Sequence, residues 1–87
     1  MIIKGLIWDE WNKDHIAKHD VTVAEVEEAC RGKRKATDSY RKRILVTGNT
    51  KNGRLLAIAL SPEDRDFQKY PKGIFYVITA FEKEVKK

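Results

Sequence analysis

The residues best suited to chemistry are two histidines, a few tyrosines and a run of cations. RNA carries its own nucleophile, the 2′-hydroxyl. A protein that cleaves it without a metal must supply a base, an acid and cations that offset charge in the transition state. Imidazole ordinarily titrates near neutrality and suits the proton transfers. His19, beside Lys18 at the end of an expected helix, is the candidate proton carrier, with Tyr76 as an alternative. Arg54, just past an expected turn, is the candidate for charge stabilisation. His15 and His19 are four apart, a spacing that places two imidazoles on adjacent helical turns where they could share a cation. The sequence supplies neither a third soft ligand nor an H-E-x-x-H pattern, so no metal and no cofactor is expected.

Other chemistries lack their residues. Cys30 is the only cysteine, which excludes an internal disulfide and a cysteine zinc site and fits a reducing compartment. It falls on the apolar stripe of a helix and is expected to be inert. The chain has no G-x-S-x-G elbow, no phosphate-binding P-loop and no G-x-G-x-x-G turn. Eighteen Lys and Arg face thirteen Asp and Glu, a net charge of +5. Residues 31–43 concentrate this excess, with seven cations against Asp38 alone. Such a stripe suits a phosphate backbone or an acidic protein. Lys33, Arg34, Arg41, Lys42 and Arg43 are the expected RNA contacts. Trp8 and Trp11 could stack on bases but equally fit a core or a partner interface.

These side chains must be positioned by one small domain spanning residues 1–87. A chain of this size buries only about 60% of its unfolded surface, so the core is thin. Residues 2–8 read as a strand, and Asp9 caps a short helix over residues 10–19. Helical geometry suggests Trp11, His15 and Lys18 on one side, with Asn12, Ile16 and His19 on another. Thr22 and Glu25 form a capping box for a second helix that ends at Arg31–Gly32, where Gly32 suits the residue after the last turn. Residues 33–40 suggest a polar strand and turn. Strands over 43–50 and 54–60 flank Asn52–Gly53, a turn pair in which both residues tolerate positive φ. Ile44 and Val46 should face one way, Leu45 and Thr47 the other. Residues 61–72 form a charged loop, and 73–81 a strand apolar enough to be interior. The expected fold class is α+β, ordered β-α-α-β-β-β-β, with two helices packed on one face of an antiparallel sheet. No apolar run approaches the roughly 20 residues that span a bilayer, and residues 1–8 lack a signal-peptide pattern, so a cytoplasmic protein is expected.

Four segments resemble the BrnT family of toxins from type II toxin–antitoxin systems. They are I-W-D-E-W-N-K-D-H-I-A-K-H-D-V at 7–21, T-V-A-E-V-E-E-A at 22–29, R-I-L-V-T-G-N-T-K-N-G-R-L-L at 43–56 and Y-V-I-T-A at 76–80. The Trp-Asp-x-x-Asn opening followed by Lys-His is the most specific of them. The resemblance implies a RelE-like fold and a metal-independent endoribonuclease that inhibits translation. It also implies a partner antitoxin, DNA-binding and of ribbon-helix-helix type. Two positions depart from the family pattern: Asp20 stands where Gly is usual, and Phe81 where an Arg usually follows the last strand. Arg54 is then expected to stand in for that Arg. Two other readings of the same basic surface stay open: a non-catalytic nucleic-acid-binding module, and a small protein-interaction domain that docks an acidic partner.

Overall fold

The computed structural model describes residues 3–32, 34–38, 43–63, 66 and 68–83. Its elements follow the expected order: β1 (Gly5–Ile7), α1 (Glu10–Ala17), α2 (Val23–Arg31), β2 (Arg34–Asp38), β3 (Ile44–Asn49), β4 (Leu55–Ser61) and β5 (Ile74–Glu82). The strands form one sheet in the order β1-β5-β4-β3-β2, so β5 is interior, as its apolar run suggested. The expectation of an antiparallel sheet needs correction. β1 runs parallel to β5, pairing Gly5 with Ile74 and Ile7 with Tyr76, so the sheet is mixed. The first and last strands lie side by side, and the long chain between them provides the crossover that parallel neighbours require. None of the described helices is long and apolar enough to cross a membrane.

Strand alternation sorts the sheet into two faces. Val46, Leu56, Ile58, Leu60 and Val77 turn one way and meet Ile16 of α1 and Val26 and Ala29 of α2 in the core. A bulge between Ala59 and Leu60 shifts the β4–β5 register, pairing Ala59 with Thr79 and Leu60 with Val77 and so leaving Ile78 over. α2 lies over β2, β3 and β4, whereas α1 packs along β5.

Both helix starts are capped as the sequence implies. The Asp9 carboxylate accepts from Asn12 N at 2.9 Å while Asn12 Oδ1 accepts from Asp9 N at 2.8 Å. Thr22 and Glu25 repeat the arrangement for α2. α1 ends at Ala17, and Lys18–Asp20 form a turn in which Asp20 takes φ 60°, a left-handed conformation that Asp tolerates better than most residues. Gly32 is not left-handed: its φ of −82° is open to any residue. At the β3–β4 turn only Gly53 has positive φ, 84°. Thr50 N donates to Arg54 O and Gly53 N to Thr50 O, so the connection is a three-residue loop closed by a left-handed glycine, not a turn with both central residues at positive φ. Gly48 matters for a different reason: a Cβ there would lie 2.4 Å from the Ala29 carbonyl oxygen, so α2 rests directly on β3.

These two glycines should behave differently. Gly53→Val meets no neighbour and should cost on the order of 1–3 kcal/mol through backbone strain alone. Gly48→Ala must push α2 off the sheet. Urea melts should show the larger loss at Gly48, together with a changed near-ultraviolet spectrum that Gly53→Val lacks.

Candidate nucleic-acid interface

α1 is set against β5 by one buried side chain. Asn12 is fully buried, and its Nδ2 donates to Ile7 O at 2.9 Å and to Val77 O at 3.1 Å. β1 pairs with β5 only as far as Tyr76, and from Val77 onward α1 takes its place. Helix and strand then run side by side in the same direction. Contacts follow in step: Asp9 with Tyr76, Asn12 with Val77, His15 with Thr79 and His19 with Phe81. The lengths agree, since ten residues at a helical rise of about 1.5 Å and five at a strand rise of about 3.3 Å both cover roughly 15 Å.

The outcome is a row of rings at the sheet edge. Trp11 stacks on His15 with centroids 5.0 Å apart and planes at 10°. His15 meets His19 edge-on at 5.3 Å, and His19 lies 6.3 Å from Phe81. His15 Nε2 is 3.0 Å from Thr79 Oγ1. The expected division of α1 is therefore corrected. His19 belongs with Trp11 and His15, because steps of four residues keep to one side of a helix, while Asn12 and Ile16 are buried.

Each imidazole stands at the end of a cross-strand row on the sheet face opposite the core. One row runs Thr37, Leu45, Ala59, Thr79 and ends at His15. The next runs Lys35, Thr47, Ala57, Phe81 and ends at His19. Neither row contains an acid. Among the described residues, the exposed large hydrophobics are Trp11, Leu45 and Phe81, and all three belong to these rows or to the helix that borders them.

The other expected site residues have separate surroundings. Tyr76 is buried, and its hydroxyl donates to both Asp9 carboxylate oxygens, at 3.1 and 2.9 Å. Arg54 projects toward α2, where Nη1 meets Glu25 Oε2 at 2.6 Å and Nη2 meets Glu82 Oε1 at 3.3 Å. A phosphate would have to compete there with two carboxylates. His19, Tyr76 and Arg54 are not brought together. The cation stripe is also divided. Arg34 pairs with Gly48 on the helix side and donates to Gly32 O, Lys35 alternates to the open face, and Arg43 is exposed just before β3. Lys33, Arg41 and Lys42 lie outside the described residues. Trp8 is half-buried, with Nε1 bonded to Glu27 Oε1 at 3.0 Å, and borders the core.

His15, Trp11 and Phe81 are the site residues that sequence reasoning underrated. Their signal was the period of four through 11, 15 and 19, which the interruption after Ala17 obscured. Among the described residues, no group of three or more His, Cys, Asp and Glu gathers around a potential metal position. Burial pushes the Cys30 thiol up to about 11, which keeps it protonated. A groove of about 660 Å³ lies elsewhere, between α2 and the β3–β4 turn, and its wall balances Glu27 and Glu28 against Arg31 and Lys51. Comparison of the chain with protein-family models, with curated proteins and with solved structures gives no match.

The Arg54 hydrogen bond holds the Glu25 carboxyl below its ordinary 4.5. A carboxyl lowered in the folded state adds stability that is present above its unfolded value and is lost as pH falls through the folded one. Thermal unfolding followed across acid pH should show Glu25→Gln less stable than the parent at neutrality. The two curves should converge as pH falls below 4.5.

Proposed function

We propose that this chain is a metal-independent endoribonuclease that acts as the toxin of a toxin–antitoxin pair. The observation that carries the enzymatic part is the imidazole pair. The ring centroids of His15 and His19 are 5.3 Å apart, beside a sheet face that no described helix covers and next to two rows that hold no acid. One imidazole removes the proton of the RNA 2′-hydroxyl as that oxygen attacks the adjacent phosphorus. The other delivers a proton to the departing 5′-oxygen. The products are a 2′,3′-cyclic phosphate and a 5′-hydroxyl, with no net gain or loss of protons. Thr79 orients His15 through its hydroxyl, and Lys18, next to His19 in the chain, is an exposed cation. This replaces the set His19, Arg54 and Tyr76 with His15 and His19, because Arg54 and Tyr76 are committed to carboxylates.

The toxin part rests on the resemblance to BrnT proteins in the segments quoted above. It makes translation the target and a DNA-binding ribbon-helix-helix antitoxin the partner, in the cytoplasm. The commitment of Arg54 favours a second reading, a non-catalytic RNA-binding module, since it leaves fewer cations to stabilise a transition state.

His15→Ala and His19→Ala should each lower RNA cleavage by about 10²–10⁴-fold in folded protein. Cleavage should persist in EDTA and fail on a strand whose 2′-hydroxyls are removed. Induced expression should arrest growth. Cleavage that both variants retain in full would remove the imidazoles from the mechanism. A wild-type chain that binds RNA but leaves it intact would establish the binding-module reading.

A further inference from the structure

Exposed aromatic rings and uncovered strands are unusual partners in a chain this polar, and on this protein they coincide. Trp11 is 38% exposed and Phe81 42% exposed, at opposite ends of the ring row that contains both imidazoles. We propose that Trp11 and Phe81 are base-stacking residues, and that the open face of β2–β5 is a trough for a short stretch of single-stranded RNA with Lys35 taking a phosphate at its far side. The inference deepens the ribonuclease reading, on which its placement beside His15 and His19 rests.

Three features define the occupant. The first is the floor. Between Phe81 and Lys35 the row holds only Ala57 and Thr47, and the neighbouring row holds Ala59 and Leu45 between Thr79 and Thr37. Ala57, Thr47 and Ala59 keep the floor low on the two central strands, Ala57 itself being buried among its neighbours, while Leu45 rises from it and the rings form a wall on the α1 side. The second is length. Four strands spaced about 4.8 Å apart make the trough roughly 14 Å wide from β5 to β2. With one exposed ring on β5 and one on α1, that width admits a short stretch of about one or two stacked bases. The third is charge. Neither row contains an acid, whereas the glutamates of α2 and Glu82, which grips Arg54, lie toward the opposite side. A polyanion therefore meets fewer carboxylates along these two rows than on the α2 side, although Asp9 borders the same face at Tyr76.

Stacking also selects strandedness. The faces of paired bases are covered by their neighbours, and the major groove of an RNA helix is too deep and narrow for short side chains to reach. Rings fixed on a helix and a strand can take only bases that are already free. Phe81 thus has a positive role. An Arg at this position would contact phosphate, whereas a phenyl ring contacts any base, which favours weak sequence preference.

The test uses a labelled 2′-O-methyl RNA octamer, which can bind but cannot be cleaved, followed by fluorescence anisotropy with the full chain. Phe81→Ala and Trp11→Ala should each weaken binding by roughly five- to a hundredfold. Phe81→Tyr should restore it, and Lys35→Ala should reduce its salt dependence. The same octamer annealed to its complement should bind far more weakly. Circular dichroism establishes that the variants are folded. Unchanged affinity in both alanine variants, or equal affinity for single strand and duplex, would overturn the proposal. So would binding lost equally in Phe81→Tyr and Phe81→Ala. If octamer binding follows the expected pattern while wild-type chain cleaves no RNA, the trough stands and the ribonuclease reading falls. If the chain cleaves RNA through His15 and His19 but the octamer ignores Phe81 and Trp11, the reverse holds.

Discussion

The buried amide of Asn12 is the contact on which the arrangement depends. It satisfies the carbonyls of Ile7 and Val77, and its oxygen closes the capping box with Asp9. Those bonds join the end of β1, the middle of β5 and the first turn of α1 at one point. An apolar residue there would remove the partner of the part-buried Ile7 carbonyl and of the buried Val77 carbonyl, the latter at about 1–3 kcal/mol. More important for function, Asn12 sets the position of α1 along β5. That position places His15 over Thr79 and His19 against Phe81. Asp9 contributes twice, as the helix cap and as acceptor for the Tyr76 hydroxyl.

A second constraint is strand alternation, which separates the work of stability from that of recognition. On one face, Val46, Ile58 and Val77 meet the helices, and Arg54 locks α2 to the sheet through Glu25. The opposite face has no described helix over it and carries the exposed Leu45 and Phe81. The core cluster thus uses every second residue of β3 and β4, Val46 with Leu56, Ile58 and Leu60, and the alternate residues form the other face. Because the chain is short, the same helix that contributes Ile16 to the core also presents His15 and His19.

Most of the elements were legible because their signals are local. Asp9 with Asn12, Thr22 with Glu25 and Gly53 marked the helix starts and the hairpin, and alternation assigned Val46 and Leu45 to opposite faces. The parallel pairing of β1 with β5 was not legible, since nothing local records which strands meet across seventy residues. The site was read only in part for the same reason. His19 stood out as a histidine at a helix end, but the partners of Arg54 and Tyr76 lie on distant segments. Each proved to be held by carboxylates at a sequence separation of 28 residues or more. The cation run looked like one surface because sequence does not display the two sides of a strand: Arg34 and Lys35 are neighbours in the chain and face opposite ways.

The central proposal is that RNA meets this protein on the sheet face opposite the core, where α1 borders β5. Amide chemical-shift mapping with an uncleavable single-stranded 2′-O-methyl RNA tests it most directly. The account predicts that shifts concentrate at Trp11, His15, His19, Lys35, Thr47, Thr79 and Phe81, with α2 little affected. Shifts confined to α2 and the β3–β4 turn, with the α1–β5 rows unchanged, would contradict it.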